Sequence, residues 1–186
     1  MTIQNDKRAR LVEAADQLFH EKGFNQTTLA NIADYANVPL GNVYYYFRSK
    51  ELILQAVIEG RRQQFSALIA ELRPIAPKER IKAFIAKILQ PKDILLQYGD
   101  AVGGLSQELG RAAPNKEANG TAPLMEATLD WLSTQFKEMG AKGKPEYLSA
   151  SLLSQIHGLC VLAVTLKDKN LLERQSLLLN EWVESA

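Results

Sequence analysis

Residues Thr27–Leu52 read TTLANIADYANVPLGNVYYYFRSKEL, and the spacing of their apolar groups decides the fold. Leu29, Ile32 and Ala33 recur at i, i+3 and i+4, one helical stripe behind two threonines whose hydroxyls can cap it. Ala36-Asn37-Val38 breaks the pattern, and asparagine tolerates the left-handed backbone that a tight turn requires. Pro39 suits the first turn of the helix that follows. In that helix Val43 and Phe47, spaced i, i+4, pin it to its neighbours, while Leu40, Gly41, Asn42, Tyr45 and Tyr46 face outward. So much aromatic and amide surface on a short helix calls for a partner. Ser49 then offers an N-cap, and Glu51 a negative charge, to the first turn of a longer helix.

Upstream, Leu11, Ala15, Leu18 and Phe19 repeat at helical spacing, and Gly23 stands where a glycine would end that helix. A supporting helix near Arg8 to Lys22 follows. Three short helices, the last pair joined by a tight turn, form the unit that sets a recognition helix in the major groove of double-stranded DNA.

The succession of supporting helix, KGF, TTLANIA, a turn, VYYYF and SKEL closely resembles the N-terminal domain of the tetracycline-repressor (TetR) family of bacterial transcription regulators. The resemblance implies an all-helical homodimer whose N-terminal domains bind a palindromic operator, with a variable C-terminal domain that binds a small inducer and releases the DNA. By position it implies phosphate contacts from Thr27, Thr28, Tyr44 and Lys50. Leu40, Gly41, Asn42 and Tyr45 match positions that face base edges, with Tyr46 at the border between base and phosphate. An Asn42 amide can pair with adenine and a Leu40 side chain can touch a thymine methyl, each worth about 1–3 kcal/mol of discrimination. Many relatives carry Lys-Gly-Thr or a similar polar stretch where this chain has Leu40-Gly41-Asn42, so its base preferences are its own.

Charge adds little. Residues 1–50 hold six cations (Lys7, Arg8, Arg10, Lys22, Arg48, Lys50) against five acids (Asp6, Glu13, Asp16, Glu21, Asp34), a net of +1, and the whole chain is also +1. No broad electrostatic footprint results, so binding is expected to rest on a few placed contacts and to be salt-sensitive. At 186 residues and 46% hydrophobic content the chain can bury a substantial core. No apolar stretch of signal-peptide type opens it, and no run approaches ~18 uninterrupted apolar residues, so a cytoplasmic protein with no membrane partner is expected. Its single cysteine, Cys160, allows no intrachain disulfide.

Beyond Ser49 the pattern stays helical, and the resemblance then implies a DNA-binding domain in 1–49 and a helical ligand-binding and dimerisation domain in 50–186. A long helix from Glu51 to Leu72 ends at prolines, and Lys78–Leu89 is amphipathic. Ile94–Leu109 is interrupted by Gly99, Gly103 and Gly104, each costing up to ~1 kcal/mol inside a helix. Either a close backbone approach or a bend around a ligand accounts for them. Gly110–Pro123 reads as a surface loop, and Leu124–Met139 as helix again.

The last two helices, near Glu146–Leu166 and Leu171–Ser185, are apolar on more sides than one chain can cover. A four-helix bundle with a second copy solves this, through Leu159, Leu162, Leu166, Leu171, Leu178 and Trp182, and the resemblance places the dimer interface in the same region. For the small-molecule effector, mostly apolar in character, the candidates are Tyr98, Val102, Gln107, Leu124, Trp131, Tyr147, His157 and Cys160, with Glu108 and Gln155 as further polar groups. His157 and Cys160 share a helix face but lack a third ligand, so no metal and no cofactor is expected. No phosphate-cradling loop, nucleophile elbow or paired histidine suggests an enzyme. The alternatives are a helical protein-interaction module, which would leave the tyrosine helix idle, and a thiol or electrophile sensor through Cys160.

Overall fold

The computed structural model describes residues 2–186, with side chains from Asp6 onward. Among the described residues every regular element is a helix: α1 (Thr2–Lys22), α2 (Leu29–Tyr35), α3 (Leu40–Tyr46), α4 (Lys50–Leu72), α5 (Pro77–Leu89), α6 (Lys92–Tyr98), α7 (Ala101–Ala112), α8 (Ala122–Glu138), α9 (Pro145–Leu166) and α10 (Lys169–Ser185).

The punctuation in the opening stretch acts as its chemistry requires. Gly23, with φ +85°, ends α1 in the left-handed region. Of the two threonines it is Thr28 that caps α2: its Oγ1 accepts from the Asn31 amide at 3.1 Å, and Asn31 Oδ1 accepts from the Thr28 amide at 3.0 Å. Asn37 turns the chain at φ +50°, and Pro39 precedes α3 as its N-cap, one position earlier than expected. Ser49 Oγ accepts from the Leu52 amide at 3.4 Å. The Glu51 carboxyl is held below its usual range by its own backbone amide and then by the Ser49 hydroxyl.

Two compact units result, one running through Phe65 and adding Gly104–Ala122, the other made of Ser66–Gly103 and Pro123–Ala186. The division expected at 49/50 is not where they part. Three short helices cannot close their own core; Ile53 and Val57 of α4 and Leu105 of α7 pack with Leu11, Phe19, Ile32, Val43 and Phe47 to complete it. Arg61 of α4, itself buried, pairs with Asp16 of α1 at 2.6 Å.

In the second unit, Ile81 and Ile85 of α5, Leu132 and Phe136 of α8, Leu152 and Ile156 of α9, and Leu172 and Val183 of α10 are fully or almost fully buried. The glycine-interrupted stretch is two helices, broken at Gly99 with φ +77°, while Gly103 and Gly104 lie inside α7. By length and composition α9 would pass for a membrane span, yet Leu152, Ile156, Leu159 and Ala163 bury one stripe of it within the unit. That burial corrects Leu159, which is core and not a free dimer-face residue. Leu162, Leu166 and Leu178 are exposed, whereas Leu171 and Trp182 are partly covered, the indole meeting the Phe136 ring edge-on at 5.8 Å.

Candidate nucleic-acid interface

The short helix α3 buries one residue of its seven, Val43. Tyr45 is 71% exposed, Tyr44 55% and Leu40 43%, and Gly41 and Asn42 stand beside them in solvent. Tyr46 is partly covered and packs edge-on against the Tyr45 ring at 5.0 Å, which restrains the most exposed ring. A methyl group built on Gly41 would meet nothing within 4 Å. The fold therefore has no need of a glycine here, although glycine weakens a helix by about 0.5–1 kcal/mol relative to alanine.

Behind α3, several residues expected to face phosphate are engaged inside the protein. Thr27 is fully buried, and its hydroxyl donates to the carbonyls of Gly23 at 2.7 Å and Leu18 at 3.3 Å. Its side chain holds the α1–α2 loop and is not presented to an anion. Lys50 donates to the carbonyls of Phe24 at 2.7 Å and Thr27 at 2.8 Å, with its Nζ 4.2 Å from the Phe24 ring centroid. Arg10 donates to the carbonyls of Ala36 and Asn37, and Arg8 lies over the Phe47 ring at 5.0 Å. Periodicity gives no sign of such uses, because backbone carbonyls exposed by a turn carry no sequence signature. Glu108, read as a pocket residue, instead accepts from the amides of Phe24 at 2.8 Å and Asn25 at 2.7 Å.

The effector candidates are scattered. Gln107 is exposed on the part of α7 that belongs to the first unit, and Tyr147 is exposed near the start of α9 with Lys144 Nζ 5.3 Å from its ring centroid. Leu124 is buried, Trp131 tilts against Phe84 at 5.5 Å, and Tyr98 and Val102 are half-buried. What the second unit does bring together is Asp100, His157 and Cys160. Asp100 caps α7, accepting from the amides of Gly103 at 2.6 Å and Val102 at 3.3 Å, and His157 Nδ1 lies 2.8 Å from its Oδ2. A methyl on Gly103 would stand 2.6 Å from Asp100 Oδ2 and 2.7 Å from His157 Nδ1, so close approach explains this glycine.

Burial works against the Asp100 charge, but His157 and the two amides outweigh it and hold the carboxyl below its usual range. Burial first, and the Asp100 charge second, push the Cys160 thiol up to about 12. A thiol so held is almost wholly protonated at neutral pH, which argues against the electrophile-sensor alternative.

Comparison with known proteins agrees with this geometry. Residues 11–57 match the family described as bacterial regulatory proteins, tetR family. The HTH-type transcriptional regulator TtgR of Pseudomonas putida is 39% identical over 55 residues, 30% of this chain and 26% of that protein, so the alignment spans about a quarter of that relative's length. The HTH-type transcriptional repressor NemR of Escherichia coli is 27% identical over 137 residues, 68% of this chain and 69% of its own. A TetR transcriptional regulator from Legionella pneumophila has a crystal structure that superposes with a TM-score of 0.81 at 22% identity, covering 92% of this chain and 94% of that one. This last likeness shows a shared all-helical fold.

Proposed function

We propose that this chain, which belongs through its N-terminal domain to the tetR family of bacterial regulatory proteins, is a homodimeric, ligand-responsive repressor of a palindromic operator. The observation that carries the reading is α3, a short helix that presents Leu40, Gly41, Asn42, Tyr44 and Tyr45 from a rigidly packed base. Its rings have an apolar body and a hydroxyl, which suits a wet and charged surface such as a DNA groove. Gly41, needless to the fold, allows the backbone to approach a base edge closely. Asn42, Leu40 and Tyr45 read bases, Thr28 and Tyr44 contact phosphate, and Tyr46 supports the border.

Two copies join through the exposed aliphatic side chains of α9 and α10, among them Leu162, Leu166 and Leu178. Pairing holds two recognition helices about 34–36 Å apart, the spacing a palindrome demands. The effector is a small, mostly apolar molecule bound in the second unit. His157 Nε2, out of solvent and with no hydrogen-bond partner among the described residues, is the polar atom best suited to fix it. Unequal affinity of that ligand for the DNA-bound and free states is sufficient for release. A protein of this kind works in the cytoplasm, where its operator lies.

Selection of bound sequences from a random duplex pool tests the reading. Purified protein is expected to enrich a palindrome, and Tyr45→Ala and Asn42→Ala each to reduce the enrichment. A pool that stays random at low salt would sink the proposal.

A further inference from the structure

We infer that Glu108 of α7, which lies outside the helix-turn-helix, is a positioning residue for DNA binding. The inference rests on the DNA-binding reading and adds to it a residue distant in sequence on which α2 and α3 depend.

The argument starts from the backbone of the α1–α2 loop. Gly23 enters the left-handed region at φ +85°, and the amides of Phe24 and Asn25 that follow bond no carbonyl of α1. Successive amides after such a residue converge and form a concave anion site. The Glu108 carboxylate occupies it with both oxygens, Oε2 on Phe24 at 2.8 Å and Oε1 on Asn25 at 2.7 Å. Gly23 also leaves room for the carboxylate, since a methyl there would stand 2.9 Å from Glu108 Oε2.

The opposite side of the same loop is held by Lys50, which takes the carbonyls of Phe24 and Thr27. A carboxylate therefore grips the loop by its amides and an ammonium grips it by its carbonyls. Thr28, the next residue, caps α2, so the position of this loop fixes where α2 begins. Val38 and Val43 share the core with Ile32 and Ala33 of α2, and through that core a displaced α2 shifts α3. The helix that carries Glu108 begins at Ala101 in the second unit, where Asp100 caps it.

Charge alone predicts the opposite of positioning. An acid in a DNA-binding unit repels phosphate, so neutralising it should tighten binding, most of all at low salt. If Glu108 acts by holding the loop, neutralising it loosens binding. The two accounts differ in sign.

The test uses the full-length chain and the duplex that the wild type selects. Operator affinity is measured for wild type, Glu108→Gln and Glu108→Ala at two salt concentrations, alongside amide hydrogen exchange of the DNA-free proteins. The expected result is binding weakened about ten-fold or more in Glu108→Ala and less in Glu108→Gln. Exchange should accelerate at Phe24 and Asn25 while the amides of Ile32 and Val43 in the core keep their protection. Glu108→Gln preserves shape and one acceptor, so it carries the test if the alanine variant does not fold. Unchanged or tighter binding overturns the inference, as does unchanged exchange at the two amides. A wild type that retains no duplex overturns the DNA-binding reading itself, and this is seen before any variant is compared.

Discussion

Both units of this molecule expose apolar side chains, but of different kinds. On α3 the exposed groups are Leu40 and, most of all, Tyr44 and Tyr45, rings that end in hydroxyls and stand beside Asn42. On α9 and α10 they are Val161, Leu162, Leu166, Leu177 and Leu178, aliphatic groups with no polar atom. A tyrosine can stay wet until a polar partner arrives, whereas several leucines at 49–65% exposure on two helices that pack together ask for apolar cover. On the proposed reading, the first surface suits reversible contact with a charged polymer and the second suits a second copy of the chain.

The comparison breaks most visibly at the aliphatic face. Leu162→Glu combined with Leu178→Glu is expected to halve the solution mass at micromolar concentration. Operator affinity should fall by about a hundred-fold or more as the second half-site contact is lost. Light scattering and a binding titration read both, and an unchanged mass would show that the leucines serve another purpose. Tyr45→Ala sharpens the contrast from the other side. It should leave the dimer intact and thermal stability within ~0.5 kcal/mol of wild type, yet weaken operator binding about ten-fold.

Two glycines separate folding from binding within the same chain. Gly103→Ala pushes a methyl into Asp100 and His157 and is expected to cost about 1–3 kcal/mol in a urea titration. Gly41→Ala meets nothing, so stability should rise by about 0.5–1 kcal/mol while operator affinity falls. Stronger folding together with unimpaired binding would remove Gly41 from the interface. The smallest effect is expected at Cys160. With its thiol pushed up to about 12, native protein should alkylate at pH 8 at about a hundredth of the unfolded rate or less, with operator binding unaffected by the reagent.

Local patterning made the first unit legible. Thr28, Asn37, Pro39, Ser49 and Gly23 each act within a few residues of their own position, through caps and backbone dihedrals, and so can be read in a linear string. Val43 and Phe47 are buried as an i, i+4 pair requires. The differences from the linear pattern share one cause. Thr27, Lys50 and Glu108 are polar, and the linear pattern offers them to an outside partner, but in the fold each serves a backbone group across a loop or from a helix distant in sequence. A helix apolar all round offers Leu159 to a second copy, but in the fold Leu159 is buried in its own core.

By itself, then, the chain's sequence determined the helical class, the turn that sets α3 outward and the exposure of Leu40, Gly41, Asn42 and Tyr45, because these follow from interactions within about one or two turns of helix. Tyr46, expected outward, rests on the core, and Tyr44 is exposed instead. Only the tertiary structure decided where polar side chains went. A carboxylate such as Glu108 serves whichever amides are left unpaired nearest to it in space, and at a sequence separation of 84 from Phe24 no local pattern relates the two. The same holds for Asp100 and His157, and for the glycine between them that leaves the pair its room.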